Sequence, residues 1–140
     1  MNIVILAALW SQNLGDELIV KNEVKLLEQE FGKDTQFHIY SYDTAHPFFT
    51  APNIQYKEYF PIALRKPKNI FRNITNYFGF ISSLLWSQTV VIGWGGIFYD
   101  HEITKSQQAL RQWLFRVKTA RLLKKKIYFY AVSLDIKDRN

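Results

Sequence analysis

Twice in this chain a run of apolar, strand-forming residues empties into a glycine-bearing segment and then into a helix-like pattern, and no other feature constrains the fold as tightly. The first run is Ile3-Val4-Ile5-Leu6, leading to Asn13-Leu14-Gly15-Asp16-Glu17. The second is Val90-Val91-Ile92, leading to Gly93-Trp94-Gly95-Gly96 and on to Asp100. A continuous apolar run marks a strand covered on both faces, and repeated strand, turn and helix build a parallel sheet flanked by helices. Ligands of open α/β sheets bind outside the carboxyl ends of the strands, where helix amino termini present unpaired N–H groups. Binding residues are therefore expected in these two segments.

The intervening pattern fits an alternation of strands and helices. Val20, Val24, Leu27 and Phe31 form one stripe of an amphipathic helix that Asp16 is placed to cap and Gly32 to stop. Residues 36–42 read as a second strand with Phe37, Ile39 and Ser41 on one face and Tyr40 and Tyr42 on the other. His38, on that second face, reads as a strand histidine rather than a ligand. All four prolines, at 47, 52, 61 and 67, fall between residues 44 and 67, which excludes a long helix there and leaves a loop with a short strand near residues 54–60. Residues 68–86 have helical spacing through Ile70, Ile74, Tyr77, Ile81, Leu84 and Leu85, and Arg65, Lys66, Lys68 and Arg72 cluster at the start. Cations at a helix amino terminus oppose its dipole, so they serve either an anion or simple solvation. A helix at 104–124 follows the second glycine segment, with Leu110, Trp113, Leu114, Val117 and Ala120 as its apolar stripe, and residues 126–134 close the pattern as a strand. The last strand ends near the chain terminus, which points to a second half, a second copy or a partner covering that edge.

A chain of 140 residues with 48% hydrophobic and 21% charged side chains builds one domain with its own core. The aromatic share of 16% supplies apolar surface beyond that core. No cysteine is present, which excludes disulfides, thiolate metal sites and cysteine nucleophiles. Charge is uneven: residues 1–44 carry three basic and seven acidic side chains, whereas residues 103–140 carry ten basic and two acidic. The basic half suits an anionic partner, though Lys124-Lys125-Lys126 equally reads as a solvated helix end. Residues 3–10 lack the basic flank and cleavage site of a signal peptide, and residues 77–86 are too short to span a bilayer. A cytoplasmic location is the expectation.

Residue-level tests exclude the common phosphate cradles. Gly93-Trp94-Gly95-Gly96-Ile97-Phe98 lacks the third glycine of G-x-G-x-x-G, and no Gly-Lys-Ser or Gly-Lys-Thr follows either turn. Gly93, Gly95 and Gly96 thus serve either a strand exit or the close approach of a ligand, and Asp16 and Asp100 either cap helices or reach that ligand. Asp100-His101-Glu102 are too close in sequence to converge on one ion, so no metal is expected. Nucleic acid is a poor partner: the basic residues follow no helix-turn-helix or strand-aromatic arrangement, and the first third is acidic.

As a pair, the two segments resemble the polysaccharide pyruvyl transferase family. That family shows an Asn-Ile/Leu-Gly-Asp-Glu segment after its first strand, matched by Asn13, Gly15, Asp16 and Glu17. It also shows a later strand ending in three glycines with an aspartate beyond, matched by Gly93, Gly95, Gly96 and Asp100, with Trp94 in place of the middle small residue. Its usual Gly-Ile-Gly-Pro after the next strand is absent here, where Val132-Ser133-Leu134-Asp135 stands. The resemblance implies a Rossmann-like open parallel sheet flanked by helices, forming the amino-terminal half of a two-domain architecture similar to GT-B glycosyltransferases. It further implies transfer of a pyruvyl group from phosphoenolpyruvate to a sugar as a ketal, with residues 1–140 as the acceptor-side domain. The substrate-binding residues it implies are Asn13, Gly15, Asp16, Gly93, Gly95, Gly96 and Asp100, with no cofactor. Phosphoenolpyruvate would be held mainly by a second domain, leaving this chain inactive alone.

Two other readings fit the same residues. One is a stand-alone Rossmann-like module that binds a nucleotide or sugar nucleotide. The other is a peripheral glycan-assembly protein, resting on a membrane or partner through the basic start and aromatic body of the 68–86 helix.

Overall fold

The computed structural model describes residues 1–7, 14–42, 44, 49–60, 69–99 and 105–135, with backbone alone at 14, 16, 17, 69, 94–99, 105–109 and 131–135. Eight elements follow in the order β1 (Asn2–Ala7), α1 (Leu14–Phe31), β2 (Gln36–Ser41), β3 (Ile54–Glu58), α2 (Asn69–Trp86), β4 (Thr89–Tyr99), α3 (Lys105–Leu122) and β5 (Lys126–Asp135). The strands make one sheet in the order β3-β2-β1-β4-β5, and every pairing is parallel. This is the Rossmann-like arrangement that the alternation of patterns predicts.

Strand β1 is central, and Ile3 to Ala7 are fully buried because both faces of the sheet are covered. On one face Ile3, Ile5, Ala7, Phe37, Ile39 and Val91 meet Val20 and Val24 of α1. On the other, Val4, Leu6, Tyr40, Val90 and Ile92 meet Phe80 and Leu84 of α2 and Trp113 and Ala120 of α3. Burying side chains of this size stabilises the fold by roughly 1.5–3 kcal/mol each before conformational entropy is counted.

Helix ends follow their sequence signals. Gly32 takes φ +96° and donates to the Glu28 carbonyl at 2.9 Å, ending α1 in the left-handed cap that glycine favours. At the end of α3 Lys124 adopts the left-handed conformation instead, φ 54°, while its N–H reaches Arg121 and that of Lys125 reaches Ala120. The Lys125 ammonium then donates to the Ser87 carbonyl at 2.7 Å and the Leu85 carbonyl at 3.4 Å, placing a cation at the negative end of α2. Part of the lysine run therefore fastens two elements together rather than merely solvating a helix end.

Four expectations are corrected. Strand β4 does not stop at Ile92: it runs through the glycine segment to Tyr99, because β5 supplies a ladder for it, Gly93 with Tyr130, Gly95 with Val132, Phe98 with Leu134 and Tyr99 with Asp135. The register slips between Gly95 and Phe98, the kind of irregularity that glycine in a strand accommodates. Helix α1 begins at Leu14, so Asp16 lies in its first turn rather than capping it.

Helix α2 keeps Leu84 and, in part, Ile81 of the expected face on the core, but its buried stripe is turned away from the rest of that face. Asn73, Phe80, Ser83 and Leu84 point inward, while Ile70, Phe71, Ile74, Phe78 and Leu85 are exposed. The sheet beneath α2 explains the rotation. Tyr40 donates its hydroxyl to Ser83 Oγ at 3.0 Å, and His38 Nδ1 lies 3.0 Å from the same oxygen, so a hydroxyl-bearing face is needed there. In α3, Leu114 of the expected stripe is likewise exposed, and Arg116 takes an inward place between Trp113 and Ala120.

Candidate functional site

From β1 the chain steps outward to β2 and β3 on one side of the sheet, and β4 and β5 continue on the other. The order reverses between β1 and β4, and a parallel sheet opens its binding crevice at the carboxyl ends of such a pair. Strand β1 ends at Ala7, and its ladder with β4 ends there too, Ala7 pairing with Gly93.

Glu23 lies at this point. It comes from α1 at i+3 from Val20, on the stripe that packs against the sheet, and is 2% exposed. A Cβ added to Gly93 would stand 2.9 Å from Glu23 Oε2 and 3.3 Å from Oε1, so the missing side chain of Gly93 is what gives the carboxyl its place. Neither carboxyl oxygen has a hydrogen-bond partner among the described residues. Burial pushes the Glu23 pKa up from 4.5 to about 8, so the group is mostly a neutral acid at pH 7, with one O–H to donate and oxygens to accept.

The opposite face holds a buried cation. Arg116, 1% exposed, donates from Nε and Nη2 to the Phe60 carbonyl at 3.2 and 3.1 Å. Its guanidinium carbon lies 4.0 Å from the centre of the Tyr59 ring, 4.7 Å from Trp113 and 6.0 Å from Tyr42. Nη1 has no partner among the described residues. The buried Tyr59 hydroxyl donates to the Ala7 carbonyl at 2.6 Å, tying this aromatic box to the end of β1, and burial raises its pKa well above the usual value.

A groove of about 250 Å³ lies away from the carboxyl ends, lined by residues that include Phe37, His38, Asn53, Gln55 and Trp86. His38 stacks on Trp86 with ring centres 3.8 Å apart. Burial and the nearby Lys57 charge lower its pKa to about 4, so the imidazole is neutral at pH 7. Held between Ser83 and Trp86, it is the strand histidine that the sequence indicates.

Of the expected site residues, Gly93 stands at the β1/β4 junction and Gly95 pairs with Val132 of β5. Gly96 lies further along β4, after the last paired glycine, and Gly15 and Asp16 lie in the first turn of α1. Asn13 and Asp100 lie outside the described residues, as do Arg65, Lys66 and Lys68. Arg72, the described member of that basic cluster, forms a two-point contact with Glu58, whose Oε2 also accepts from Asn76 at 3.0 Å. Its charge answers a carboxylate of this chain. Sequence reasoning missed Glu23 and Arg116, although each interrupts an apolar stripe at helical spacing. Among the described residues no group of three or more acidic, histidine or cysteine side chains could hold a metal.

A parallel sheet whose order reverses between β1 and β4, with helices on both faces, defines a Rossmann-like domain. Its family follows from comparison with known proteins: the polysaccharide pyruvyl transferase model matches residues 13–140, and the chain belongs to that family. Comparison with curated proteins and with solved structures returns no match.

Proposed function

We propose that the chain is the acceptor-side domain of an enzyme that moves the pyruvyl group of phosphoenolpyruvate onto a sugar of a cell-surface polysaccharide. The observation that carries this reading is the β1/β4 switch point, where Gly93, inside the family-matched region, lies against the buried acid Glu23. Ketal formation requires a proton for the methylene carbon of phosphoenolpyruvate, addition of one acceptor hydroxyl at C2, loss of phosphate, and closure by a second hydroxyl that gives up its proton. Cations are needed to hold the donor's carboxylate and phosphate. Arg116 spends two of its donor nitrogens on the Phe60 carbonyl and presents its guanidinium to aromatic rings, which suits architecture better than donor binding. The reading therefore assigns donor binding to a second domain and acceptor binding to the carboxyl ends of β1 and β4.

The test incubates the 140-residue chain with phosphoenolpyruvate and simple hexopyranosides and follows phosphate release and ketal formation by NMR. No turnover is expected from the chain alone, and ketal formation by it would sink the half-enzyme reading. Calorimetry with nucleoside mono- and diphosphates is expected to show no binding; micromolar affinity would instead establish the nucleotide module.

A peripheral contact is favoured by one feature, the outward apolar face of α2, where Phe71 is 81% and Phe78 65% exposed. Among the described residues no helix is long and apolar enough to cross a membrane, so contact through this helix would be with a surface. Flotation with anionic and neutral vesicles tests it, and equal recovery in both removes the charge-assisted form of the idea.

A further inference from the structure

We propose that Glu23, Gly93 and Tyr130 form a pyranose subsite, in which the two oxygens of the Glu23 carboxyl receive a pair of sugar hydroxyls and the Tyr130 ring lies against the sugar face. The inference rests on the acceptor-side reading and deepens it by naming the atoms that select the acceptor.

Three observations converge. First, both Glu23 oxygens are buried and unpartnered at the switch point. A polar group left so loses the hydrogen bonds that water would give it, a state that persists where a ligand supplies the missing partners. Second, the carboxyl is lodged against Gly93, where any side chain would displace it. Third, Gly93 is in register with Tyr130 of β5, and register partners in a sheet point to the same face. Val91, two residues before Gly93, belongs to the α1-side core, so Tyr130 also faces the side of α1 and Glu23. Tyr130 is 39% exposed, an aromatic surface with a polar tip on the strand next to Gly93.

The chemistry of this set selects its ligand. A mostly neutral carboxyl offers no positive charge to the carboxylate and phosphate of phosphoenolpyruvate, whereas it donates to and accepts from hydroxyls. A ketal of pyruvate consumes two hydroxyls, so the acceptor must present a diol, and a carboxyl offers two oxygens to meet one. The C–H face of a pyranose suits the half-exposed tyrosine ring.

The test uses saturation-transfer NMR on the 140-residue chain with methyl β-D-galactopyranoside, methyl β-D-glucopyranoside and methyl α-D-mannopyranoside as probes. Each is compared with its 4,6-O-acetal, in which that diol is blocked. At least one free pyranoside is expected to receive saturation, and its blocked form to lose it. Glu23→Leu removes both oxygens while keeping an apolar group for the buried site, and binding is expected to fall at least tenfold while the thermal midpoint is held or raised. Gly93→Ala, which leaves Glu23 present but displaced, should weaken binding by a similar factor, so the inference stays testable if Glu23→Leu does not fold. Tyr130→Ala is expected to lower affinity several-fold.

Unchanged binding in both Glu23→Leu and Gly93→Ala overturns the subsite, as does absence of transfer to all three pyranosides. Failure of the broader reading has a different signature, namely saturation of phosphoenolpyruvate by the chain alone or turnover without a second domain.

Discussion

One face of the sheet buries a carboxyl and the other a guanidinium, and the two are accommodated by opposite means. On the α1 face Glu23 has no partner for either oxygen among the described residues, and burial leaves it holding its proton to about pH 8. On the α2/α3 face Arg116 cannot shed its charge, so the fold surrounds it with the Phe60 carbonyl and the rings of Tyr59, Trp113 and Tyr42. A carboxyl can be buried nearly alone because it can become neutral; a guanidinium demands a built environment. Two donor nitrogens on the Phe60 carbonyl and three rings about the guanidinium mark Arg116 as architecture even with Nη1 left over, whereas a carboxyl with neither oxygen bonded among the described residues marks a place where something else is expected.

The largest expected effect comes from the better-provided side. Arg116→Ala removes the cation from three rings and strips the Phe60 carbonyl of two donors, and denaturant unfolding should show a loss of about 3–5 kcal/mol. If the loss is below 1 kcal/mol, Arg116 is not the structural member of the pair.

Next comes the pH response of Glu23. Its folded pKa, about 8, stands above the unfolded value near 4.5, so the unfolded chain releases its proton first. Stability is full below pH 4.5 and declines as pH rises to about 8, by on the order of 3 kcal/mol. Glu23→Gln should flatten this dependence and raise the thermal midpoint at pH 8 but not at pH 4. Parallel melting curves for the two proteins across that range would contradict an unpartnered acid.

A smaller effect is expected at Ser83, whose hydroxyl accepts from Tyr40 and meets His38 Nδ1. Ser83→Ala removes the partner of His38 Nδ1 and leaves the Tyr40 hydroxyl only the Gly79 carbonyl at 3.3 Å, and should cost about 1 kcal/mol in chemical denaturation. His38 adds a pH signature of opposite sign. With its folded pKa near 4, below the unfolded 6.5, stability is lost as pH falls through that window.

The smallest effect concerns the left-handed Lys124, where glycine relieves the Cβ clash. Lys124→Gly is expected to raise stability by about 0.5–1 kcal/mol, read as a small upward shift of the thermal midpoint.

Sheet and helix order were legible because they rest on residue type and period. The run from Ile3 to Leu6 could be nothing but a doubly covered strand, and Gly32 stopped α1 as its lack of Cβ suggests. Rotation of α2 was not legible. Its apolar residues outnumber those one face can bury, and the choice between faces was made by hydroxyls on β2 that the helix's own sequence does not show. The extension of β4 depended on β5, more than thirty residues away in the chain. Of the site, Gly93 was found through its strand exit. Glu23 and Arg116 were hidden because polar residues on helices are usually assigned to solvent, although the spacings Val20-Glu23-Val24 and Trp113-Arg116-Ala120 place both on buried stripes.

The position of β1 governs how this molecule can be made. One edge of β1 pairs with residues 36–40, which are synthesised soon after it, but the other waits for residues 89–93. Until those emerge, the most apolar segment of the chain has an open, template-like edge, and closing it spans nearly two thirds of the sequence. Production of the protein is therefore most vulnerable to misassembly before β4 is complete, at a stage when α1, β2 and β3 can shield only one side of the strand around which the whole sheet is assembled.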